Sequence, residues 1–409
     1  MFRRWIIVGI SLLTVCSLAG APPAQAQPRG GQGEGLTATL EVVNPNPGPA
    51  EPVTLRFTLT NPTAETLQVL KWHTPLEGFK SDLLRVERDG RRVRYIGPLL
   101  KRGQPRPQDY VTLAAGQSVK AELDLAKGYD LSAPGHYTVQ LDTQLLDARP
   151  GAQPPRDNRQ LQARPLRSAP AAVDLAQGRG NPPPAAAAPA APPVKPKSGK
   201  VQAKQANYQN CSDSQKPDLD DALNKAAQIA AGADLALAVT PDAKRSAAPR
   251  YKTWFGAYTT SRYSLVQTQF DKIQDALANQ QITFDCDCSD GDSGTWAYVF
   301  PNQPYVIHLC PMFWASALEG TDSRSGTLVH ESSHFYVVAS TNDHQYGQSA
   351  CKTLASTDPD SAIDNADSHE YFAENNPAQE MGIGPAGFGL LLLLTLLVAY
   401  RLRVRRRAV

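Results

Sequence analysis

The stretch LVHESSHFYVVASTNDHQYG, residues 328–347, places His330 and His334 four residues apart. In a helix this spacing puts both imidazoles on one face, where they can bind one zinc ion. Glu331, beside the first histidine, can face an open coordination position and take a proton from water there. A catalytic zinc site uses three protein ligands and leaves the fourth position to water. The sequence must therefore supply a third ligand.

Three residues are candidates for that ligand. Asp343 lies nine residues after His334, and Gly347 marks a turn that can fold the chain back towards the helix. His344 is adjacent to Asp343. Glu370, thirty-six residues after His334, suits a peptidase whose third ligand is a glutamate on a later helix. The spacing alone leaves these alternatives open.

The chain of 409 residues is longer than one hydrophobic core usually holds, so we expect two domains. Proline and alanine crowd the stretch between them, as in GRGNPPPAAAAPAAPPVKPKSGK, residues 178–200. Such a composition buries little and is typical of an extended linker, which we predict over 147–200.

Both ends carry hydrophobic segments. Residues 1–26 combine two arginines, an apolar run and an Ala-Gln-Ala site, which predicts a signal peptide cleaved after Ala26. Residues 381–400 are uncharged and long enough for a transmembrane helix, and the basic tail 401–409 is expected to stay in the cytoplasm. A sorting tail clipped during surface display is the alternative. We expect an exported protein, either surface-anchored or secreted after removal of the tail.

Residues 36–146 alternate apolar and polar side chains, as in VTLRFTL (53–59), between turns rich in Pro, Gly and Asn. This pattern predicts a small β-sandwich of immunoglobulin-like class, acting as a prosegment, a spacer or a binding module. His73 and His136 are isolated in the sequence, and we expect them to have structural roles.

Residues 201–377 change to helical periodicity, which predicts a helix-rich α+β domain. Two amphipathic helices, in 212–233 and 261–280, precede two short β-type runs, GTWAYVF (294–300) and PYVIHLC (304–310). We expect the first helices to bury Leu219, Leu223, Ala226, Ala230, Val266, Phe270, Ile273 and Leu277, and the histidine helix to bury Leu328, Val329, Val337 and Val338.

Cysteine content and charge exclude some classes of function. Five cysteines follow the predicted signal, so disulfides are plausible and one thiol is left over. Their spacing lacks a paired C-x-x-C, which disfavours a zinc-cysteine cluster. The net charge is +2 and the central chain has no basic stripe, so we exclude nucleic-acid binding.

The histidine motif followed by STNDHQYG, residues 340–347, resembles the aspzincin metallopeptidases, the deuterolysin family, whose second motif is Gly-Thr-x-Asp-x-x-Tyr-Gly. YKTWFG (251–256), CPMFW (310–314) and NADSHEYFAENNP (365–377) are similar to the peptidyl-lysine metalloendopeptidases. The resemblance covers 205–377 and implies a zincin-like fold. Ser340 stands where the motif usually has glycine, which concerns the backbone turn and leaves every ligand in place.

The resemblance also implies roles for individual residues. One zinc ion would be bound by His330, His334 and Asp343, with Glu331 as general base and Tyr346 as a hydrogen-bond donor to the oxyanion. Further implied are Asp367 and Glu370 as the acids that hold a lysine just after the cleaved bond, and the disulfides Cys211 with Cys286 and Cys288 with Cys310, leaving Cys351 free. We therefore expect protein or peptide substrates with lysine after the cleaved bond. A glutamate-liganded zinc peptidase using Glu370, and a non-catalytic surface adhesion protein, are the alternatives.

Overall fold

The computed structural model describes residues 32–33, 35–151, 153–179 and 203–382. The predicted signal peptide, residues 180–200 of the proline-rich stretch and the basic tail lie outside these residues. None of the described helices is long and apolar enough to cross a membrane. The predicted span 381–400 lies outside the described residues except for its first two positions.

Seventeen strands and nine helices occur in the described residues. The strands are β1 Gln32–Gly33, β2 Leu36–Val42, β3 Thr54–Thr60, β4 Leu67–Leu70, β5 Leu84–Arg88, β6 Arg91–Arg92, β7 Leu99–Arg102, β8 Tyr110–Leu113, β9 Ser118–Asp124, β10 Gly135–Leu145, β11 Ala148–Pro150, β12 Arg164–Arg167, β13 Ala171–Leu175, β14 Asn207–Gln209, β15 Thr283–Asp285, β16 Thr295–Val299 and β17 Val306–Leu309. The helices are α1 Lys216–Val239, α2 Asp242–Arg245, α3 Pro249–Phe255, α4 Thr260–Asn279, α5 Pro311–Ala315, α6 Arg324–His334, α7 Gln348–Thr357, α8 Pro359–Ala362 and α9 Ala366–Glu374.

The described residues of 32–175, here called the sheet region, form three antiparallel sheets, while β7 pairs outside them. Their strand orders are β1-β2-β3-β9, β12-β10-β5-β6 with β13 also pairing β10, and β11-β4-β8. Alternate side chains of β3 are buried, as period two requires, and they join the other sheets in one apolar core. The predicted antiparallel β architecture is present, and its immunoglobulin-like class stays a prediction.

The predicted linker is too long at its N-terminal end. Residues 148–150, 164–167 and 171–175 form β11, β12 and β13, which pair with β4 and β10 of the sheet region. Proline content suggested an extended chain, but Leu166 and Val173 are fully buried in the sheet core. Edge strands tolerate proline because one side of the strand does not need its N–H groups. The sheet region therefore continues to Leu175.

Residues 203–382, here called the helical region, pack long helices on a mixed sheet. The order β14-β15-β17-β16-β7 has parallel pairs from β14 to β17 and antiparallel pairs from β17 to β7. All eight apolar positions predicted for the first two helices are buried, and the two β-type runs form β16 and β17. The mixed α+β character is confirmed. The outermost strand, β7, comes from the sheet region.

Two disulfides connect segments that follow strands of this sheet. Cys211 bonds to Cys286 and Cys288 bonds to Cys310, while Cys351 is a buried free thiol. These are the pairs that the resemblance implies. Both bonds are outside the sheet region, so that region holds together through its apolar core.

Two predicted boundaries were wrong. Helix α6 ends at His334, because Phe335 takes an extended ψ of 133°, so Val337 and Val338 lie in the following turns rather than on the helix. Met381 is buried in the core of the helical region, and the Arg250 N–H donates to the carbonyl of Glu380. The helical region therefore extends beyond Pro377, and a membrane span can begin only after Met381.

Candidate active site

Helix α6 presents both histidines to the interior. The Ser323 hydroxyl caps the helix by accepting a hydrogen bond from the Gly326 N–H. His330 and His334 are fully buried on one face, with their Nε2 atoms 3.2 Å apart. The spacing predicted from the sequence therefore gives a pair of convergent imidazole nitrogens.

A reversal of the chain after α6 brings Asp343 to this pair. The Thr341 N–H donates to the Ser333 carbonyl at 3.1 Å, and the Asn365 side-chain oxygen accepts from the N–H groups of His344 and Gln345. Ser340 sits in the reversal with φ of +55°, the left-handed conformation that glycine adopts most easily. Serine at this position therefore holds a backbone conformation that glycine would adopt with less strain.

The three predicted ligands meet at one point. Oδ1 of Asp343 lies 3.2 Å from His330 Nε2 and 3.5 Å from His334 Nε2. No residue in the described part of the chain forms a hydrogen bond with either carboxylate oxygen of Asp343. Burial alone would raise the pKa of Asp343, but the two imidazoles lower it below its ordinary value. A buried His-His-Asp set with free ligand atoms fits a tetrahedral zinc ion with one open position.

Contacts at the Nδ1 atoms orient the imidazole rings of both histidines. His334 Nδ1 lies 2.8 Å from the Thr341 carbonyl, so that nitrogen donates and Nε2 is left with its lone pair. His330 Nδ1 lies 2.8 Å from Asp367 Oδ1. A carboxylate or carbonyl behind a ligating histidine fixes the ring and its tautomer.

The other two candidates for third ligand point elsewhere. His344 Nε2 lies 2.8 Å from Asp364 Oδ2, away from the histidine pair. Glu370 approaches the Nδ1 side of His330, at 3.5 Å, and forms a possible ligand group with His330 and Asp367 that does not include His334. The geometry therefore supports Asp343 over both alternatives.

Glu331 is fully buried beside the ligand set. Among the described residues, none gives a hydrogen bond to either of its carboxylate oxygens. Burial raises the pKa of Glu331 well above its usual value, against the opposing effect of His330. A desolvated carboxylate with free oxygens is suited to accept a proton from a water molecule bound next to it.

Two acids on α9 form a second cluster, here called the acid pocket. Asp367 and Glu370 are one turn apart and buried, and Lys101 of strand β7 extends between them. Its ammonium nitrogen lies 2.6 Å from Glu370 Oε2 and 3.2 Å from Asp367 Oδ1. Burial would lower the pKa of Lys101, but the surrounding carboxylates raise it well above its usual value. The acid pocket therefore binds a charged lysine side chain in this structure.

The walls of the acid pocket were not predicted from the sequence. Asp322 adds a third carboxylate at 3.7 Å from the ammonium, and the rings of Trp296 and Tyr371 lie 5.5 and 5.9 Å from it. Helical Gly326 makes room, since a Cβ there would lie 2.0 Å from Glu374 Oε1 and 3.0 Å from Glu370 Oε1. The position of Trp296 in GTWAYVF, next to the edge of the sheet, is the signal that could have indicated a pocket wall.

Tyr346 lies close to the ligand set, and its hydroxyl donates to the carbonyl of Leu100 at 2.9 Å. His73 Nε2 lies 3.5 Å from the same hydroxyl, and the ring of Trp72 packs edge-on against Tyr346. The sequence prediction of an ordinary structural place for His73 missed this contact, because His73 is far away in sequence and belongs to the other region.

Comparison with known proteins decides the family. A family model described as lysine-specific metallo-endopeptidase, the aspzincin group, matches residues 240–374. The chain is 40% identical to an extracellular protease of Aeromonas hydrophila over 346 residues, which cover 84% of this chain and 93% of that protein. The chain belongs to the aspzincin family. It is therefore a metalloendopeptidase whose cofactor is zinc.

Other known proteins are similar over different lengths. A peptidyl-Lys metalloendopeptidase of Grifola frondosa is 34% identical over 335 residues, 79% of this chain and 88% of the relative. A solved zinc peptidase from Grifola frondosa shares 44% sequence identity, covers 42% of this chain and all of its own, and superposes with a TM-score of 0.38. Because the chain is an aspzincin metalloendopeptidase, the alternative of a non-catalytic adhesion protein was wrong.

Proposed function

We propose that this aspzincin hydrolyses peptide bonds on the amino side of lysine. One observation carries the proposal: a buried pocket of carboxylates adjoins the His-His-Asp set and surrounds a lysine ammonium. Asp367 lies 2.8 Å from His330 and also contacts that ammonium. The acid pocket is therefore in direct contact with a proposed metal ligand. Three relatives named peptidyl-Lys metalloendopeptidase support it.

In this proposal His330, His334 and Asp343 hold the zinc ion. When bound, zinc polarises the scissile carbonyl and makes water a stronger nucleophile at neutral pH. Glu331 takes a proton from the attacking water and passes it to the leaving amine, for which its free buried oxygens are suited. Tyr346 donates a hydrogen bond to the carbonyl oxygen as negative charge develops there.

Lysine preference follows from the charge and depth of the acid pocket. Asp367 and Glu370 each contact the ammonium, and a hydrogen bond to a charged group contributes about 1.5–3 kcal/mol. An apolar side chain would leave both carboxylates buried without a partner, which disfavours it further. The rings of Trp296 and Tyr371 lie 5.5 and 5.9 Å from the ammonium, within the range of cation–π attraction, which favours a charged side chain further.

The test is a cleavage map. The zinc-loaded full-length chain is incubated with an unfolded protein of known sequence, and the new N-termini are identified by mass spectrometry. We expect most of them to begin with lysine, and the Glu331→Gln chain prepared in parallel to produce none. New N-termini spread over other residues would refute the lysine preference even where proteolysis is seen.

A glutamate-liganded site is separated by metal content. The proposed site predicts that Asp343→Ala loses bound zinc, whereas Glu370→Gln keeps it and loses lysine preference. Zinc stoichiometry by atomic emission decides between them. Full zinc in Asp343→Ala together with zinc loss in Glu370→Gln would instead support Glu370 as the third ligand.

Export and anchoring complete the proposal. Residues 1–26 direct export, in agreement with the extracellular relative in Aeromonas, and the uncharged residues after Gly382, within the predicted 381–400 segment, anchor the protein in the membrane or are clipped. The intact mass of the mature protein distinguishes retention of the segment from its removal. A mass that includes residues 1–26 would contradict cleavage after Ala26.

A further inference from the structure

Two adjacent residues of the sheet region occupy the two substrate-contacting positions of the candidate active site. The Lys101 ammonium fills the acid pocket, and the carbonyl of Leu100 accepts the hydrogen bond from Tyr346 at 2.9 Å. The peptide bond between them is on the amino side of a lysine. A hydroxyl proposed to stabilise the oxyanion thus already contacts the carbonyl of an Xaa-Lys bond.

The backbone around this bond is extended and paired with a strand, as in many bound peptides. Strand β7 pairs antiparallel with β16, the last strand that the helical region itself contributes to this sheet, with Leu100 opposite Tyr298 and Lys101 opposite Ala297. The next residue in β16 towards its N-terminus, Trp296, is the extra residue of a bulge, and its ring faces the Lys101 ammonium. Adding a strand to a sheet edge is a common way for proteins to bind extended peptides.

Contacts on both sides hold β7 in this place. Beyond the strand, the Gly103 N–H donates to the Gly294 carbonyl at 2.9 Å, and Arg106 pairs with Asp292 at 2.6 Å. On the other flank, Lys80 pairs with Asp290 at 2.9 Å. The sheet region is therefore held over the cleft by contacts on both sides of β7 and not by that strand alone.

We propose that the Leu100–Lys101 bond is this enzyme's own first processing site, presented by the sheet region, which blocks the cleft, and that cutting this bond is the first step in the removal of that region. The inference rests on the proposed function, since it takes the chain itself as an Xaa-Lys substrate. A contact that only stabilises the interface explains the position of Lys101 less well, because a buried ion pair by itself adds little net stability. It also gives no reason for Tyr346 to contact the carbonyl of the residue before the lysine.

The chemical step is hydrolysis. The oxygen of water adds to the carbonyl carbon of Leu100, the bond from that carbon to the Lys101 nitrogen breaks, and Glu331 transfers a proton from water to the leaving nitrogen. The products are a new carboxylate at Leu100 and a new amino group at Lys101. No oxidant or other co-reactant is needed.

Cleavage of this bond does not by itself free the cleft. Strands before the bond pair with strands after it: β3 with β9, β5 with β10, and β4 with both β8 and β11. Both parts also share one apolar core. We therefore expect the two fragments to stay associated after the cut, with full activity only when the sheet region is separated or degraded.

The experiment follows self-cleavage in the full-length chain. Wild type, Glu331→Gln, Lys101→Met and the control Lys120→Met are purified without zinc, then loaded with zinc, and their N-termini and masses are measured under denaturing conditions. Lys120 lies exposed on β9, so its variant tests lysine loss outside the acid pocket. An added peptide with one lysine reports the general activity in each sample.

We expect a new N-terminus at Lys101 in wild type and Lys120→Met, and a rate at least about 100-fold lower in Glu331→Gln and Lys101→Met. An intact Leu100–Lys101 bond in zinc-loaded wild type overturns the inference. If the same sample cuts the added peptide before lysine, the proposed function still stands. Peptide cuts away from lysine contradict the proposed function instead, and equal nicking of Glu331→Gln indicates a foreign protease and also overturns the inference.

Mixing tests whether each chain cuts itself. Because the bond lies in the cleft of its own chain, the rate constant should not change over a 100-fold range of protein concentration, and wild type should not cut added Glu331→Gln chains at this bond. Cleavage of Glu331→Gln chains by wild type at the rate of wild type itself would show that the bond is not presented in this way.

Discussion

The sheet region and the helical region differ in the elements that form their apolar cores and in their disulfides. The sheet region buries alternate residues of many short strands and has no disulfide among its described residues, whereas the helical region buries helix faces and has two disulfides. All proposed metal ligands and the general base come from the helical region. The sheet region contributes Lys101, Leu100 and His73 to the site. The candidate ligands and general base therefore lie in one region, and the other region contributes the residues that fill the acid pocket and contact Tyr346.

The largest change in activity is expected from Glu331→Gln, a substitution in the helical region. Loss of the general base should lower kcat/KM for a lysine peptide by roughly 10²–10⁴-fold, while the melting temperature changes little, because the amide keeps the shape of the side chain. Steady-state kinetics and calorimetry measure both. Glu319→Gln, at a largely exposed acid of the same region, should match wild type, and comparable losses in both variants would contradict the assignment.

A smaller effect is expected from Glu370→Gln, which removes one charge from the acid pocket. Loss of a charged hydrogen bond of about 1.5–3 kcal/mol predicts a fall of roughly 10- to 100-fold in kcat/KM for lysine peptides. Peptides with an uncharged residue at that position should be affected much less. Glu380→Gln is exposed and serves as control. An equal loss on both kinds of peptide would show that Glu370 does not select lysine.

Two glycines of the helical region test how tightly α6 and α9 pack. Gly326→Ala should destabilise the protein by about 1–3 kcal/mol, because the new methyl group clashes with Glu374 and Glu370. Gly232→Ala, in α1 with no atom within 4 Å of its added Cβ, should instead stabilise by up to about 1 kcal/mol. Denaturant unfolding measures both. A stable Gly326→Ala variant would mean that the acid pocket tolerates more volume than the structure indicates.

The smallest effect concerns the turn that delivers Asp343. Ser340→Gly should be neutral or stabilise by less than about 1 kcal/mol, since glycine adopts the positive φ without strain. Ser340→Val should destabilise by about 1–3 kcal/mol and lower zinc affinity, because a β-branched residue strongly disfavours this conformation. Thermal unfolding with and without zinc checks both changes. Equal stability of the two variants would show that the turn does not constrain the ligand.

Features set by local periodicity and spacing could be predicted from the sequence. The buried faces of α1 and α4 were predicted correctly because a 3.6-residue period fixes which side chains face inward. Likewise His330 and His334 converge because four residues make one helical turn. The placement of Asp343 depended on the family resemblance, since the residues alone left three candidates.

The contact between the two regions could not be predicted. Lys101 and Glu370 are 269 positions apart, and nothing in their local sequences marks them as partners. The end of the sheet region was also misjudged, because strands such as β12 and β13 rely on pairing with β10 rather than on their own composition. Long-range pairing of this kind is set by the whole fold.

Asp367 touches three groups at once: its Oδ1 lies near His330 and the lysine, and its Oδ2 accepts from the Gly347 N–H. In the proposed function, lysine recognition and metal binding thus share a single carboxylate. If the proposed lysine preference holds, a redesign of the specificity should leave Asp367 unchanged and vary Glu370 or Trp296. A change of the shared acid would also alter the contact that orients the imidazole of His330, a proposed ligand of the zinc ion.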